Sequence, residues 1–339
     1  MKTIRAAICI LGFLSVGSLR GSEEVPAKAF SLVREDFGLT TVTIENDVVS
    51  NTDRHYTSGL RVAHLLARSN EPEWLKRLGE KLGSKVLFED RRFEYAFGQH
   101  IYTPEDTSLE VPQPSDRPYA GWLYASTGIV TRRNRTIDQV EVSFGVVGPW
   151  ALAEETQNLV HRWIGSKESL GWEYQLRNEP TLQLFAQRNY WLVRRKKAGP
   201  LVWDVVPHFG AALGNVFVYS NCGLTVSAGS GNEENFGSPR LGLLLPGTGY
   251  FAPGNGFSWQ VFASLEGGIM GRNLFLDGNT FRGDSPSVDR ENYVGEAQIG
   301  VQAVFGRNRL SFVQIQRTRE FATQEDSESY GALSYSYAF

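Results

Sequence analysis

The sequence predicts an all-β protein: a closed antiparallel transmembrane β-barrel of about twelve strands, with a short helix in one extracellular loop. Long segments alternate between apolar and polar residues, and the chain is rich in glycine (35) and aromatic residues (12%). No stretch of about 18 uncharged apolar residues, the length that a membrane-spanning helix needs, occurs in it. With 34 Lys and Arg against 37 Asp and Glu, the net charge of −3 gives no support to nucleic-acid binding.

The N-terminal residues predict an export signal. Lys2 and Arg5 precede an apolar run from Ala6 to Val16, which is too short to span a bilayer. Signal cleavage is expected between residues 18 and 29, which leaves residues 30–339 as a single outer-membrane barrel domain. Cys9 would leave with the signal, and the remaining Cys222 cannot form an internal disulfide.

The strands are predicted from an alternation of period two. Val140 and Phe144, for example, interleave with Gln139, Glu141 and Ser143, which is typical of a strand with one apolar and one polar face. Segments of this kind cover residues 39–48, 56–66, 92–102, 119–131, 136–147, 181–194, 201–214, 215–228, 257–271, 290–305, 308–320 and 329–339.

The pattern fits a soluble sandwich or barrel as well as a transmembrane barrel. Small polar residues on the second face, and an even strand count that leaves no open edge, favour the membrane. The last strand places Leu333, Tyr335, Tyr337 and Phe339 on one face. This ending resembles the assembly signal of bacterial outer-membrane barrels, so the outer membrane is the expected location and the barrel assembly machinery an expected partner.

Five longer polar or Gly/Pro-rich stretches separate the strands, and long loops of such barrels are expected on the extracellular side. They cover residues 69–91, 103–117, 148–180, 229–256 and 276–289.

One of these stretches contains a predicted helix. Residues 151–164 follow Gly148-Pro149 and stop at Gly165, the usual punctuation of a helix. Gln157 and His161 are four apart and share a face. The apolar contacts of this helix are expected from Leu152, Val160, Trp163 and Ile164.

Three groups of residues are candidates for chemistry. Glu45-Asn46-Asp47 and the Thr52-Asp53 pair offer hard oxygen ligands for Ca²⁺ or Mg²⁺, although such clusters also form ordinary turns. His161 is a candidate general base, or else a surface or packing residue. Arg117, beside Tyr119 and Trp122, suits either a phosphate contact or an aromatic belt at a membrane interface.

Together these pieces resemble the calcium-dependent lipid A 3′-O-deacylase family of outer-membrane barrels. The resemblance spans residues 45–172, and the matching residues follow in order. They are Glu45-Asn46-Asp47, Asp53, Tyr56-Thr57, Gly59, Ile101-Tyr102-Thr103-Pro104, Asp116-Arg117, Tyr119-Ala120, Val147-Gly148-Pro149, Gln157-Asn158, His161-Arg162, Ile164-Gly165 and Trp172.

The resemblance implies a hydrolase that cleaves a 3′-position acyl(oxyacyl) ester of lipid A, with Ca²⁺ as cofactor. Lipid A or lipopolysaccharide would be the substrate, and outer-membrane lipids the surroundings. The active site would lie between the barrel wall and the loop helix. His161 would activate water and Asp47 would bind the cation, while Asn46, Thr57 and Gln157 would orient water or metal or donate to the oxyanion.

The sequence departs from the family pattern at two points. The family's acidic residue six positions after the histidine is here Lys167, and Glu168 is the candidate to replace it as a metal ligand. The family's lysine after the Tyr-x-Pro segment has no match between Glu105 and Pro114, which makes Arg117 a candidate to hold phosphate. A phospholipase A-like lipid esterase and a non-enzymatic pore or scaffold therefore remain alternatives.

Overall fold

The computed structural model describes residues 36–46, 55–74, 77, 91–133, 135–198, 201–230, 250–251, 253 and 256–339; the predicted export signal lies outside them. The described residues form mainly strands. In chain order the elements are β1 (Leu39–Asn46), β2 (His55–Leu65), β3 (Arg91–Thr103), β4 (Ala120–Arg133), β5 (Thr136–Val147), α1 (Ala153–Ile164), β6 (Glu179–Tyr190), β7 (Val193–Ala198), β8 (Leu201–Gly214), β9 (Phe217–Ser230), β10 (Phe257–Asn273), α2 (Leu274–Asp277), β11 (Tyr293–Phe305), β12 (Asn308–Arg317) and β13 (Glu328–Ala338).

The strands form one closed antiparallel sheet in which each strand pairs with its sequence neighbours. β1 pairs with β13, so that Leu39 lies opposite Ala338, and β6 pairs with β8. β7 follows β6 after a break at Trp191 and pairs with the first part of β8. β6 and β7 therefore share one position in the wall, and the predicted barrel of twelve strands is confirmed.

The direction of the strands separates the two ends of the barrel. Leu39 and Phe339 lie at one end, here called the termini end, and β1 runs from it to the far end. The connections 104–119, 148–178, 274–292 and 318–327 join strands at the far end. The strand ends that bound 66–90 and 231–256 lie at the termini end, so the expectation that all long interruptions share one side was wrong for these two.

The outer surface of the wall is apolar. Phe144 is 59% exposed, whereas its inward neighbours Glu141 and Ser143 are buried, as the alternation predicts. Leu333, Tyr335, Tyr337 and Phe339 also face outward. A continuous apolar surface of this kind is stable only in apolar surroundings. In the described part of the chain, no helix has the length and apolar character needed to cross a membrane.

Buried side chains of the described residues project into the lumen. Aromatic rings stack across it, with 4.1 Å between the centroids of Tyr102 and Phe275. Closer to the termini end, Arg61 Nη2 donates to carboxylate oxygens of Glu94 and Glu141, each at 2.9 Å. These charges are buried, and their pairing avoids the several kcal/mol that an isolated buried ion costs. The packed interior gives the wall a rigid support from inside.

Candidate active site on the outer wall

Helix α1 ends at Ile164 as predicted and begins at Ala153, two residues after the predicted start. The 3₁₀ turn Pro149–Ala151 leads into it, and Leu152 at its start has a left-handed backbone (φ 55°), an uncommon conformation for a residue with a branched side chain. The negative charges of Glu154 and Glu155 in the first turn stabilise the helix by their interaction with the positive end of its dipole. At the other end Gly165 adopts φ 73°, and Ser166 N–H donates to the His161 carbonyl at 2.9 Å.

α1 lies against the outside of the barrel wall, over the far ends of β3 and β4. Inward positions of β4 include Trp122 and Tyr124, so Gly121 faces outward, and a Cβ there would lie 2.4 Å from Ala153 Cβ. Gln99, which also faces outward, donates its side-chain N–H to the Ala151 carbonyl at 2.6 Å. The absence of a side chain at Gly121 thus allows the helix to contact the wall directly.

A small apolar cluster between the helix and the wall holds this contact in place. It consists of Ile101, Tyr119, Ala153 and Trp172, all buried. The rings of Tyr119 and Trp172 lie 4.8 Å apart. Trp172 belongs to a second 3₁₀ turn, Trp172–Tyr174, so the segment that follows α1 folds back under it.

The buried face of α1 carries the two polar residues that the sequence singled out. Gln157 is 3% exposed and His161 is 5% exposed. Trp172 Nε1 donates to Gln157 Oε1 at 2.9 Å. Because an indole N–H is only a donor, this bond fixes the amide oxygen towards Trp172 and turns the amide nitrogen away. Gln157 Nε2 has no hydrogen-bond partner among the described residues.

His161 is oriented by the chain that follows the helix. Its Nδ1 lies 2.5 Å from the Lys167 carbonyl oxygen. A carbonyl only accepts, so Nδ1 carries the proton in this contact, and Nε2 is then the nitrogen with the lone pair. The tight end of the helix at Gly165 brings residue 167 back to the imidazole.

Asn46 lies on the same outer surface. It follows Ile44, which is exposed and outward, at a spacing of two. Asn46 pairs with Ser58, Ser58 with Ile101, and Ile101 with Gly121, which places all four in one row across β1–β4. At about 4.8 Å between neighbouring strands, Asn46 is about 10 Å from Ile101, which packs beneath α1. The structure thus brings Asn46, Gln157 and His161 to one flank of the barrel.

The remaining predicted site residues have different outcomes. Thr57 lies in β2 where the register shifts between Tyr56 and Ser58, and its side chain is outside the described residues. Asp47 is also outside them. The Glu168 carboxylate is 53% exposed and accepts from Arg162 Nη1 at 3.1 Å, at the surface. Its role as a metal ligand stays a prediction.

The described side chains do not by themselves form a metal site. No group of three or more His, Cys, Asp or Glu side chains within the described ranges is arranged to hold a metal ion. Asp47, the predicted cation ligand, lies outside these ranges, so Ca²⁺ binding stays a prediction.

Arg117 does not hold phosphate in this structure. It is completely buried, its Nη1 donates to Glu320 Oε2 at 3.4 Å, and its guanidinium lies 5.0 Å from the centre of the Tyr102 ring. The expectation of a phosphate contact was wrong because the side chain turns towards the lumen and pairs there. The neighbouring Trp122 also faces inward and is buried, so it is not part of an outer aromatic belt.

Three contributors to the site were missed from the sequence. Trp172 belonged to the matched residues but had no predicted role, Gly121 was not among them, and Lys167 was noted only as a departure. Its backbone carbonyl, which any residue supplies, makes the contact with His161. Only Gly121, a glycine at the start of a strand, carried a signal of close approach.

A family model described as outer membrane protein LpxR matches residues 9–339. LpxR from Salmonella typhimurium has a similar structure, with a TM-score of 0.72 and 22% identity, covering 89% of this chain and 100% of that chain. A comparison with curated proteins found no match.

Other solved outer-membrane proteins are more distant. The β-domain of the Bordetella autotransporter BrkA has a TM-score of 0.39 and 10% identity, over 89% of this chain and 98% of that chain. An outer membrane channel from Pseudomonas putida F1 has a TM-score of 0.40 and 12% identity, over 93% of this chain and 100% of that chain. Because the LpxR model covers nearly the whole chain, and the fold agrees with it, this protein belongs to the LpxR family of outer-membrane β-barrels.

Proposed function

We propose that this protein is a lipid A 3′-O-deacylase, which hydrolyses a 3′-position acyl(oxyacyl) ester of lipid A in the outer membrane. The observation that carries the proposal is the Gln157–His161 pair, which is buried between a loop helix and the lipid-facing outer surface of the wall. A site on this surface accepts a substrate that approaches sideways from the membrane. Membership of the LpxR family supports the same substrate class.

In this proposal His161 is the general base. Nδ1–H donates to the Lys167 carbonyl, which holds the imidazole in one orientation and one tautomer. Nε2 takes a proton from the attacking water and later returns it to the leaving alcohol. A positioned base of this kind contributes about 10²–10⁴-fold to the rate.

Gln157 is proposed to stabilise the oxyanion. The bond from Trp172 turns its side-chain N–H groups away from the indole, as a donor to developing negative charge requires. A buried donor without a partner costs free energy in the resting protein, and the substrate oxyanion would satisfy it. Asn46 and Thr57, at the wall, are proposed to orient water.

The proposal includes Ca²⁺ as cofactor, with Asp47 as the ligand that the family resemblance implies and Glu168 in place of the family's acid. When bound, the cation would polarise the ester carbonyl. Glu168 would have to leave its exposed ion pair with Arg162 to take part. An exposed pair contributes only about 0–1 kcal/mol, so this rearrangement is not costly.

The side chains in the lumen bear on one alternative, the pore. A water-filled channel requires open space along the barrel axis, whereas stacked rings and the Arg61 ion pairs occupy it here. This packing counts against a pore. A phospholipase A-like esterase would use the same two side chains on a different ester, and only the product identifies it.

Mass spectrometry of lipid A from cells that express the protein tests the proposal. We expect the wild-type protein to remove one acyloxyacyl unit from lipid A. The variants His161→Ala and Asp47→Ala should leave lipid A intact, and Glu155→Ala, on the exposed side of the same helix, should remove the unit as the wild type does. Lysophospholipid release would indicate the esterase instead. Turnover that persists in excess chelator would remove Ca²⁺ from the proposal, and full activity of His161→Ala would remove the base.

A further inference from the structure

Helix α1 has three distinct faces. One contains Ala153, Gln157 and His161 and is buried against the wall. The second, here called the apolar stripe, contains Leu152, Leu159, Val160 and Trp163. The third is polar and contains Glu154, Glu155, Asn158 and Arg162. At 100° per residue the apolar stripe and the polar face flank the buried face on opposite sides.

The apolar stripe is exposed along its whole length. Trp163 is 79% exposed, Leu152 51%, Leu159 42% and Val160 41%, and Trp150 in the preceding turn is 68% exposed. A helix on a water-soluble protein turns such a face towards its core and its polar residues towards water. Here the contact with the wall uses the polar catalytic pair, and the apolar residues are left outside.

The position of the helix indicates what covers this stripe. Gln99 of β3 bonds to the turn before α1, and two residues back on the same outward face Phe97 is 56% exposed. Phe144 of β5 continues that apolar surface. The stripe therefore adjoins the surface with which this family of barrels contacts lipid. A charged flank opposite an apolar flank is the pattern of a helix that lies in a membrane interface.

We propose that α1 is an interfacial membrane helix whose apolar stripe lies among the acyl chains of the outer leaflet. Its polar face then points to the water beyond the far end of the barrel. The buried Gln157–His161 pair between helix and wall then lies at the boundary between headgroups and chains. This inference concerns a lipid contact and does not depend on hydrolase activity.

Spin labelling tests the depth of the helix. Cys222 is an exposed free thiol, so labels are placed in a Cys222→Ser background, singly, by Leu159→Cys, Trp163→Cys and, as the control on the polar face, Glu154→Cys. Each protein is reconstituted into vesicles of lipopolysaccharide and phosphatidylethanolamine. The heat-dependent gel mobility of each variant shows that its barrel has folded.

The collision rates of the labels with oxygen, which concentrates in lipid, and with a water-soluble nickel complex are then compared. We expect the labels at 159 and 163 to collide mainly with oxygen and the label at 154 mainly with nickel. Equal nickel access at all three positions would overturn the proposal. Dipolar broadening between labels at 163 would also overturn it, because a second copy of the chain would then cover the stripe.

Discussion

The close approach of α1 to the wall at Gly121 allows a sharp test of the site. The substitution Gly121→Ala adds one methyl group that would lie 2.4 Å from Ala153 Cβ and 3.1 Å from Ala151 Cβ. Carbon atoms in contact are normally about 3.5–4.0 Å apart, so the helix must retreat by about 1 Å. Such overpacking costs about 1–3 kcal/mol, and a displacement of about 1 Å at an active site reduces the rate by about 10²-fold.

The assay is deacylation of purified lipid A by the folded variant, followed by mass spectrometry. The matched control is Gly267→Ala in β10, on the opposite wall of the barrel, where an added Cβ meets no atom within 4 Å. We expect the control to retain activity and Gly121→Ala to lose most of it while the barrel stays folded. Equal activities would show that the spacing between helix and wall does not control the chemistry.

Three further substitutions test separate contacts. Trp172→Phe keeps an aromatic ring but removes the N–H that donates to Gln157 Oε1. We expect a folded protein that loses roughly 1–3 kcal/mol of transition-state stabilisation, which lowers kcat about 5- to 150-fold. An unchanged kcat would contradict this role. Glu168→Gln breaks only an exposed pair with Arg162 but removes a proposed Ca²⁺ ligand, so we expect a folded barrel that needs more Ca²⁺ for half-maximal activity; an unchanged Ca²⁺ requirement would contradict that role. Arg61→Ala leaves the buried Glu94 and Glu141 without their cation and is expected to destabilise the barrel by about 3–5 kcal/mol. Urea unfolding in vesicles measures this change. An unaltered urea midpoint would mean that these glutamates are neutral or solvated.

The strands were predictable because a wall between two different media imposes a period of two on each of them. Glu141, Ser143 and Phe144 show this pattern in the sequence and take the predicted faces. The break at Trp191 was not predictable, because the alternation of apolar and polar residues over 181–194 does not show where a strand bends. The two long connections at the termini end were misplaced for another reason: loop length alone does not say which end a connection joins.

The site was only partly predictable. The spacing of Gln157 and His161 correctly indicated a shared face. The expected apolar contacts of this helix were wrong, because all four side chains are exposed: Leu152, Val160, Trp163 and Ile164. Hydrophobic periodicity shows that a helix has an apolar side, but it does not say whether protein or lipid lies against that side. The contact between Lys167 and His161 uses the backbone, which leaves no trace in residue types.

The pairing of β1 with β13 has a consequence for how this protein is made. Residues 39–46 find their hydrogen-bond partners at 331–338, at the opposite end of the chain. Until the final segment has been synthesised and exported, the first strand has an unsatisfied edge, which is prone to aggregation. Contacts so distant in sequence also form slowly. A newly exported chain must therefore be kept soluble for the whole interval before its last eleven-residue strand arrives.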